Sequence, residues 1–215
     1  MTYKEGRYNY FPIMNISFEF FPARTEHGKK TLNEVQKKLS AIKPEFFSVT
    51  FGALGSSQDA TFETIFELQK NTSVPIAPHL TCVGIKKIQA IALLDKYIEL
   101  GVNRVMVLKG DAPKVRFPYK NSRDKGDFRF ANEMVEFIKE HYKGYFHIQV
   151  GAFPEKHPQS KSFTNDIKFF VNKVNSDARS AAFRENLLGR SRGLSRGFSR
   201  GLSDSLRCKT FNSLH

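Results

Sequence analysis

Glu19 stands in the stretch NISFEFFPART, where Ile16, Phe18 and Phe20 alternate with Ser17, Glu19 and Phe21. The pattern is an aromatic-rich strand closed by Pro22, and it carries one carboxylate between two phenylalanines. Similar polar groups recur wherever an apolar run stops. Thr50 ends one run and His79 lies in the next; Lys109, Gly110 and Asp111 close a third. Phe153, Glu155 and His157 follow a further one. Carboxyl and imidazole groups gathered in one cleft make acid–base chemistry available. Each residue also has a plainer reading. A lone Glu suits an edge strand, and His79 suits a hydrogen-bonded core position. Gly110-Asp111 suits a simple turn with Asp as a cap. Cys82 reads as a small buried hydrophobe rather than a nucleophile. No His/Cys spacing matches a known metal site.

These residues need a scaffold that brings strand ends together. Candidate strands are Ile16–Phe21, Phe46–Phe51, Val74–Thr81, Arg104–Lys109 and Phe146–Val150. Between and after them lie KKTLNEVQKKLSAI, ATFETIFELQK, IKKIQAIALLDKYIELG, ANEMVEFIKEHY and KSFTNDIKFFVNKVNSDA, each with apolar residues at three- and four-residue spacing. Gly101 is placed to stop the third helix. Five strand-then-helix units predict a parallel α/β sheet, open or barrel-shaped. No Gly-x-Gly-x-x-Gly follows the first strand, so the usual dinucleotide fingerprint of an open sheet is missing. In a barrel, Ser17, Glu19 and Phe21 face inward while Ile16, Phe18 and Phe20 pack on helices. The active end would be where the parallel strands finish.

Composition sets outer bounds. The chain has 215 residues, 40% hydrophobic, with a net charge of +13. No apolar run reaches the ~20 residues a spanning helix needs, and the N-terminus has no secretory pattern. Two cysteines, Cys82 and Cys208, do not form a disulfide framework, so a reducing cytoplasm is expected. The charge is uneven: residues 179–215 hold seven Arg and one Lys against Glu185 and Asp204. That segment contains a Ser-Arg-Gly-Leu/Phe repeat from Ser191 to Leu202. Gly every fourth residue opposes helix and so much Arg, Ser and Gly opposes a core, which predicts a disordered tail. The expected organisation is an extension over 1–14, a core domain over 15–178 and a basic tail over 179–215.

In order along the chain, SFEFFPART, FFSVTFGA, APHLTC, VLKGDAP and GAFPEKHPQSKS resemble the methylenetetrahydrofolate reductase family from about Asn15 to Ala178. The resemblance implies a (β/α)8 TIM barrel carrying FAD, which takes electrons from NADH or NADPH and reduces 5,10-methylenetetrahydrofolate to 5-methyltetrahydrofolate. It makes Glu19 the proton donor that helps open the folate's methylene bridge. A buried carboxyl that keeps its proton near neutral pH suits that task. Asp111 would sit by the flavin and folate, disfavouring anionic reduced flavin and stabilising a cationic iminium.

The same resemblance assigns FAD contacts to Thr50, Phe51, Ala53, His79, Lys109, Gly110, Phe130, Ala131, Phe153, His157, Ser160, Asp166 and Lys173, with Asp166 at ribose or adenine and Lys173 at a phosphate. Thr50 would also lie near the nicotinamide. Lys109 replaces a common Arg and Phe153 a common Tyr, losing a bidentate contact and a hydroxyl. Phe169 and Asn172 replace polar or basic residues. Intact members are expected to be homo-oligomers, with no membrane contact.

After Ala178 the resemblance stops, so strands six to eight and their folate-binding residues have no expected counterpart. A barrel of this type usually needs ~250 residues. The expectation is an incomplete barrel of five units with the first and fifth strands as open edges, and impaired turnover. An out-of-frame or replaced C-terminus would account for it. Two rival readings are an inactive fragment with residual FAD binding, and an RNA-interacting chain acting through its Arg-Gly repeats. The second is weakened because Phe198 is the sole aromatic inside the repeat.

Overall fold

The computed structural model describes residues 15–51, 58–110, 126–152, 160–176, 178–183 and 206–213. Five strand–helix units follow one another: β1 (Asn15–Phe20), α1 (Glu26–Ser40), β2 (Phe46–Val49), α2 (Gln58–Asn71), β3 (Ile76–Thr81), α3 (Lys87–Glu99), β4 (Arg104–Leu108), α4 (Ala131–Tyr142), β5 (His147–Ala152) and α5 (Phe163–Asn175). The expected five units are all present, and α4 matches the quoted segment residue for residue. Two further strands come from the basic segment, β6 (Ser180–Phe183) and β7 (Leu206–Ser213). β1 to β6 are mutually parallel, each hydrogen-bonded to the next. The class is α/β, of the incomplete TIM-barrel type.

Two sequence expectations need correction. The sequence leaves the first and fifth strands as open edges and offers no counterpart of a sixth strand. Instead β6 adds a sixth parallel strand, and β7 runs antiparallel between β6 and β1, closing the barrel. The physical reason lies in the edges themselves. Unpaired N–H and C=O groups on β1 and β6 template another strand, and β7 supplies the complementary backbone on both sides. The Ser-Arg-Gly repeat lies outside the described residues.

Strand periodicity sorts the side chains into two cores. Phe18, Phe20, Phe47, Val49, Leu80, Val105, Val107, Ile148 and Val150 belong to the large core that also holds the buried helix residues. Leu39, Ile65, Leu68, Leu94, Met134 and Ile138 are among the latter. Phe46, Ala77 and Met106, with Leu108 against them, form a separate small cluster on the opposite strand face, inside the barrel. As expected, Phe18 and Phe20 pack outward on the helices; Ile16, at the start of β1, is exposed instead.

Side-chain bonds tie each helix from α1 to α5 to the next. Gln36 Nε2 donates to Leu68 O (2.8 Å), and Gln69 Nε2 to Leu100 O (2.9 Å). Tyr142 OH donates to Asp95 (2.8 Å), and Ser176 Oγ to Glu136 (2.6 Å). Thr25 caps α1 by accepting from Gly28 N, and Ser162 caps α5 by accepting from Asn165 N. Gly101, after α3, has φ +71°, the left-handed turn expected of a helix stop. Among the described residues no helix is long and apolar enough to cross a membrane.

Candidate functional site

Parallel strands put all their C-terminal ends at one rim, where Glu19, Thr50, Lys109 and Gly110 lie. Glu19 is the penultimate residue of β1 and His79 lies in β3, two strands away. Their side chains meet, with His79 Nε2 3.1 Å from Glu19 Oε2. Non-adjacent strands exchange a side-chain contact only across the barrel interior, so both groups face inward. Each side chain is 6% exposed. Such a buried pair depends on mutual compensation: removing either member strands the other in a low-dielectric interior.

Thr50 follows β2 directly. Its N–H donates to Phe20 O (3.0 Å) and its carbonyl accepts from Thr61 Oγ1 (3.4 Å), which pins it beside the end of β1. Its own hydroxyl is buried and has no partner among the described residues. Phe51 is half-buried against the large core. At the end of β4, Lys109 is exposed, while its carbonyl accepts from Val83 N (3.0 Å) and the Cys82 thiol (3.2 Å). Burial pushes that thiol up to about 11, so Cys82 stays protonated, in keeping with its reading as a buried hydrophobe. Gly110 has φ +81°, and a Cβ there would sit 2.9 Å from Thr81 Cβ. Only glycine fits this turn.

Phe130 caps α4 with an exposed ring that stacks on Phe169 of α5, centroids 5.6 Å apart. Ala131 is buried beneath it. Ser160 Oγ donates to Ser162 O, and Asp166 lies in the first turn of α5. Lys173 reaches back to the sheet, where its Nζ donates to Gly151 O. Burial lowers its pKa, opposed by the Asp166 charge. Asp111, Ala53, Phe153 and His157 fall outside the described residues.

The structure therefore brings Glu19, Thr50, His79, Lys109 and Gly110 to one rim, with Phe130, Asp166 and Lys173 on the adjoining α4 and α5. Ser17 faces inward and is fully buried, as the barrel reading expects, but sequence reasoning missed the direct Glu19–His79 contact and two further polar groups of the interior, Ser48 and Gln149, both fully buried. A signal for these was present. Ser17-x-Glu19, Ser48-x-Thr50 and Gln149 occupy alternate strand positions opposite the apolar ones. Among the described residues no group of three metal-ligating side chains exists.

An incomplete (β/α) barrel with an acid–imidazole pair at the C-terminal rim of its parallel strands is the class that fold and site define. At the level of fold alone, the structure resembles a phosphoenolpyruvate phosphomutase from Streptomyces platensis subsp. rosaceus (TM-score 0.50, 9% identity, 77% of this chain and 58% of that one). Residues 12–182 match the methylenetetrahydrofolate reductase family model, and the chain belongs to that family. The match runs into β6, beyond the Ala178 limit read from the motifs. Relatives include the 5,10-methylenetetrahydrofolate reductases of Pectobacterium carotovorum subsp. carotovorum (36% identity, 78% of this chain, 53% of that protein) and Escherichia coli K12 (34%, 78% and 53%). The NADH-type enzyme 1 of Zea mays is 31% identical over 76% of this chain and 29% of its own length. The chain spans about half the length of the bacterial relatives.

Proposed function

We propose that this chain binds FAD at the rim formed by β1–β5 and contributes the proton-donating half of methylenetetrahydrofolate reduction by NADH or NADPH. The observation that carries the reading is the buried Glu19–His79 pair at the C-terminal end of a family barrel. The donor set suits a flavin dinucleotide. Thr50 offers a buried hydroxyl lacking a partner among the described residues, and Gly110 keeps the β4 turn clear of a Cβ. Lys109 supplies an exposed cation and Phe130 an exposed ring face, while Asp166 and Lys173 lie on α5. When bound, FAD supplies the hydride-carrying chemistry that no side chain provides.

The chain's own residues do the rest. Glu19 donates the proton that opens the folate's methylene bridge, with His79 Nε2 holding the carboxyl in place. The barrel wall keeps bulk solvent from the pair, whose side chains are each 6% exposed, which strengthens each electrostatic contact within it. Asp111, which follows Gly110 in the sequence, supplies a negative charge for the cationic intermediate. Ala53, Phe153, His157 and Ser160 complete the cofactor contacts. Lys173, held against Gly151 O, reaches a phosphate only by exchanging that bond. The cytoplasm, where folate reduction takes place and the Cys82 thiol stays free, is the compartment this reading implies.

The test is flavin titration of the full chain followed by the Glu19→Gln variant. Bound FAD with a perturbed visible spectrum in both proteins is the expected result. No bound flavin in either would overturn the cofactor assignment.

A further inference from the structure

A barrel interior of this kind is ordinarily filled by branched apolar side chains. Here Ser17, Glu19, Ser48, His79 and Gln149 share it with Phe46, Ala77, Met106 and Leu108. Gln149 is fully buried, and neither end of its amide has a partner among the described residues. The same holds for Ser48 Oγ. The ladder sets Ser48 beside the acid and Gln149 in the row of its partner His79, two strands further on. Ser48 is the Cα partner of Glu19, and Gln149 is the Cα partner of Met106, itself paired with His79. A buried amide left dry loses hydrogen bonds that water would have supplied, so polar interiors of this sort hold ordered water with two to four protein partners.

We propose that the barrel interior beneath the Glu19–His79 pair is a water site built by Gln149 and Ser48, and that Gln149 is a positioning residue whose bound water sets the proton affinity of Glu19. The water links the amide to the pair and partly solvates the carboxylate form of an otherwise enclosed acid. Among the described residues, the charged or titratable groups on the strands around it are these. His79 faces it from β3, and Arg207 of β7 is its Cα partner in the ladder. β2 presents only Ser48 and Thr50. The start of β4 and β5, at the far end of the barrel, carries Arg104 and His147. Lys173 is tied to Gly151 O on β5. The consequence for catalysis rests on Glu19 being the acid of the proposed reaction, but the test below reads the water and the carboxyl directly.

The full chain, without added cofactor, is compared with Gln149→Leu, Gln149→Asn and Ser48→Ala. Long-lived internal waters are counted by water-oxygen magnetic relaxation dispersion. The Glu19 carboxyl is followed through pH by its infrared C=O band, assigned by its loss in Glu19→Gln. Gln149→Leu should lose at least one internal water and raise the Glu19 midpoint by a pH unit or more, because a drier interior disfavours the carboxylate. Gln149→Asn should retain the wild-type midpoint. Should Gln149→Leu fail to fold, Ser48→Ala, which removes a hydroxyl without adding bulk, should lose the same water and shift Glu19 in the same direction. An unchanged water count with a higher melting temperature would mean a dry, unsatisfied amide and would overturn the proposal. Loss of the water with Glu19 unmoved would equally overturn it, since the water would then serve packing alone. Failure of FAD binding would bear on the proposed function and leave this result intact.

Discussion

Glu19 was legible as a site residue because strand periodicity puts it opposite Phe18 and Phe20, which the large core claims. Its partner was not, because the contact with His79 spans the barrel between strands that do not pair, and no local spacing encodes it. Gly110 was read as a turn, and the turn depends on glycine. Gly110→Ala forces a left-handed backbone on a residue with a Cβ and drives it into Thr81, so it should cost about 1–2 kcal/mol or more in denaturant unfolding. A wild-type unfolding midpoint would show that the turn relaxes freely. Tyr97 offers the opposite case. It is fully buried beside Phe62, and its hydroxyl has no partner among the described residues. Burial holds the phenol protonated by raising its pKa. Tyr97→Phe should therefore be neutral or stabilising by up to about 1 kcal/mol, read by the same method. A clear destabilisation would reveal a hydrogen bond that the packing does not show.

The five parallel strands and the helices between them were readable from periodicity because each must bury one face. Boundaries moved by a few residues where backbone pairing, rather than side-chain pattern, decides the end of a strand. β7 escaped notice although Leu206, Cys208 and Thr210 alternate with Arg207, Lys209 and Phe211. The repeat preceding it dominated the composition, and no local feature announces an antiparallel strand inserted between β6 and β1. β5 carries a pH dependence of its own. His147 opens that strand, and burial, with Arg104 and Arg179 nearby, lowers its pKa from 6.5 to about 4. The unfolded chain thus binds an extra proton between those values, so this histidine's contribution to stability is intact above about 6.5 and falls away as pH drops towards 4. The melting temperature should decline from pH 7 to pH 4.5, and His147→Gln should flatten part of that decline. Parallel curves for the two proteins would contradict the assignment.

Across the molecule, closure by β7 replaces the expected open edges and gives a half-length family member a continuous hydrogen-bonded sheet. Removing residues 206–215 should expose the β1 and β6 edges, lower the melting temperature by about 10 °C or more and promote association. Unchanged melting and a monomeric truncated chain would show that closure contributes nothing to stability. The functional half of the picture depends on Glu19 acting as the proton donor at a flavin rim. Anaerobic single-turnover spectroscopy on the FAD-loaded chain tests this. NADH or NADPH should bleach the flavin in both wild type and Glu19→Gln, because hydride arrival needs no proton from this acid. Methylenetetrahydrofolate should then restore oxidised flavin in the wild type, slowly, and at least 10²-fold more slowly in Glu19→Gln, the scale of a lost general acid. Equal reoxidation in the two proteins, or loss of both half-reactions together, would contradict the role assigned to Glu19.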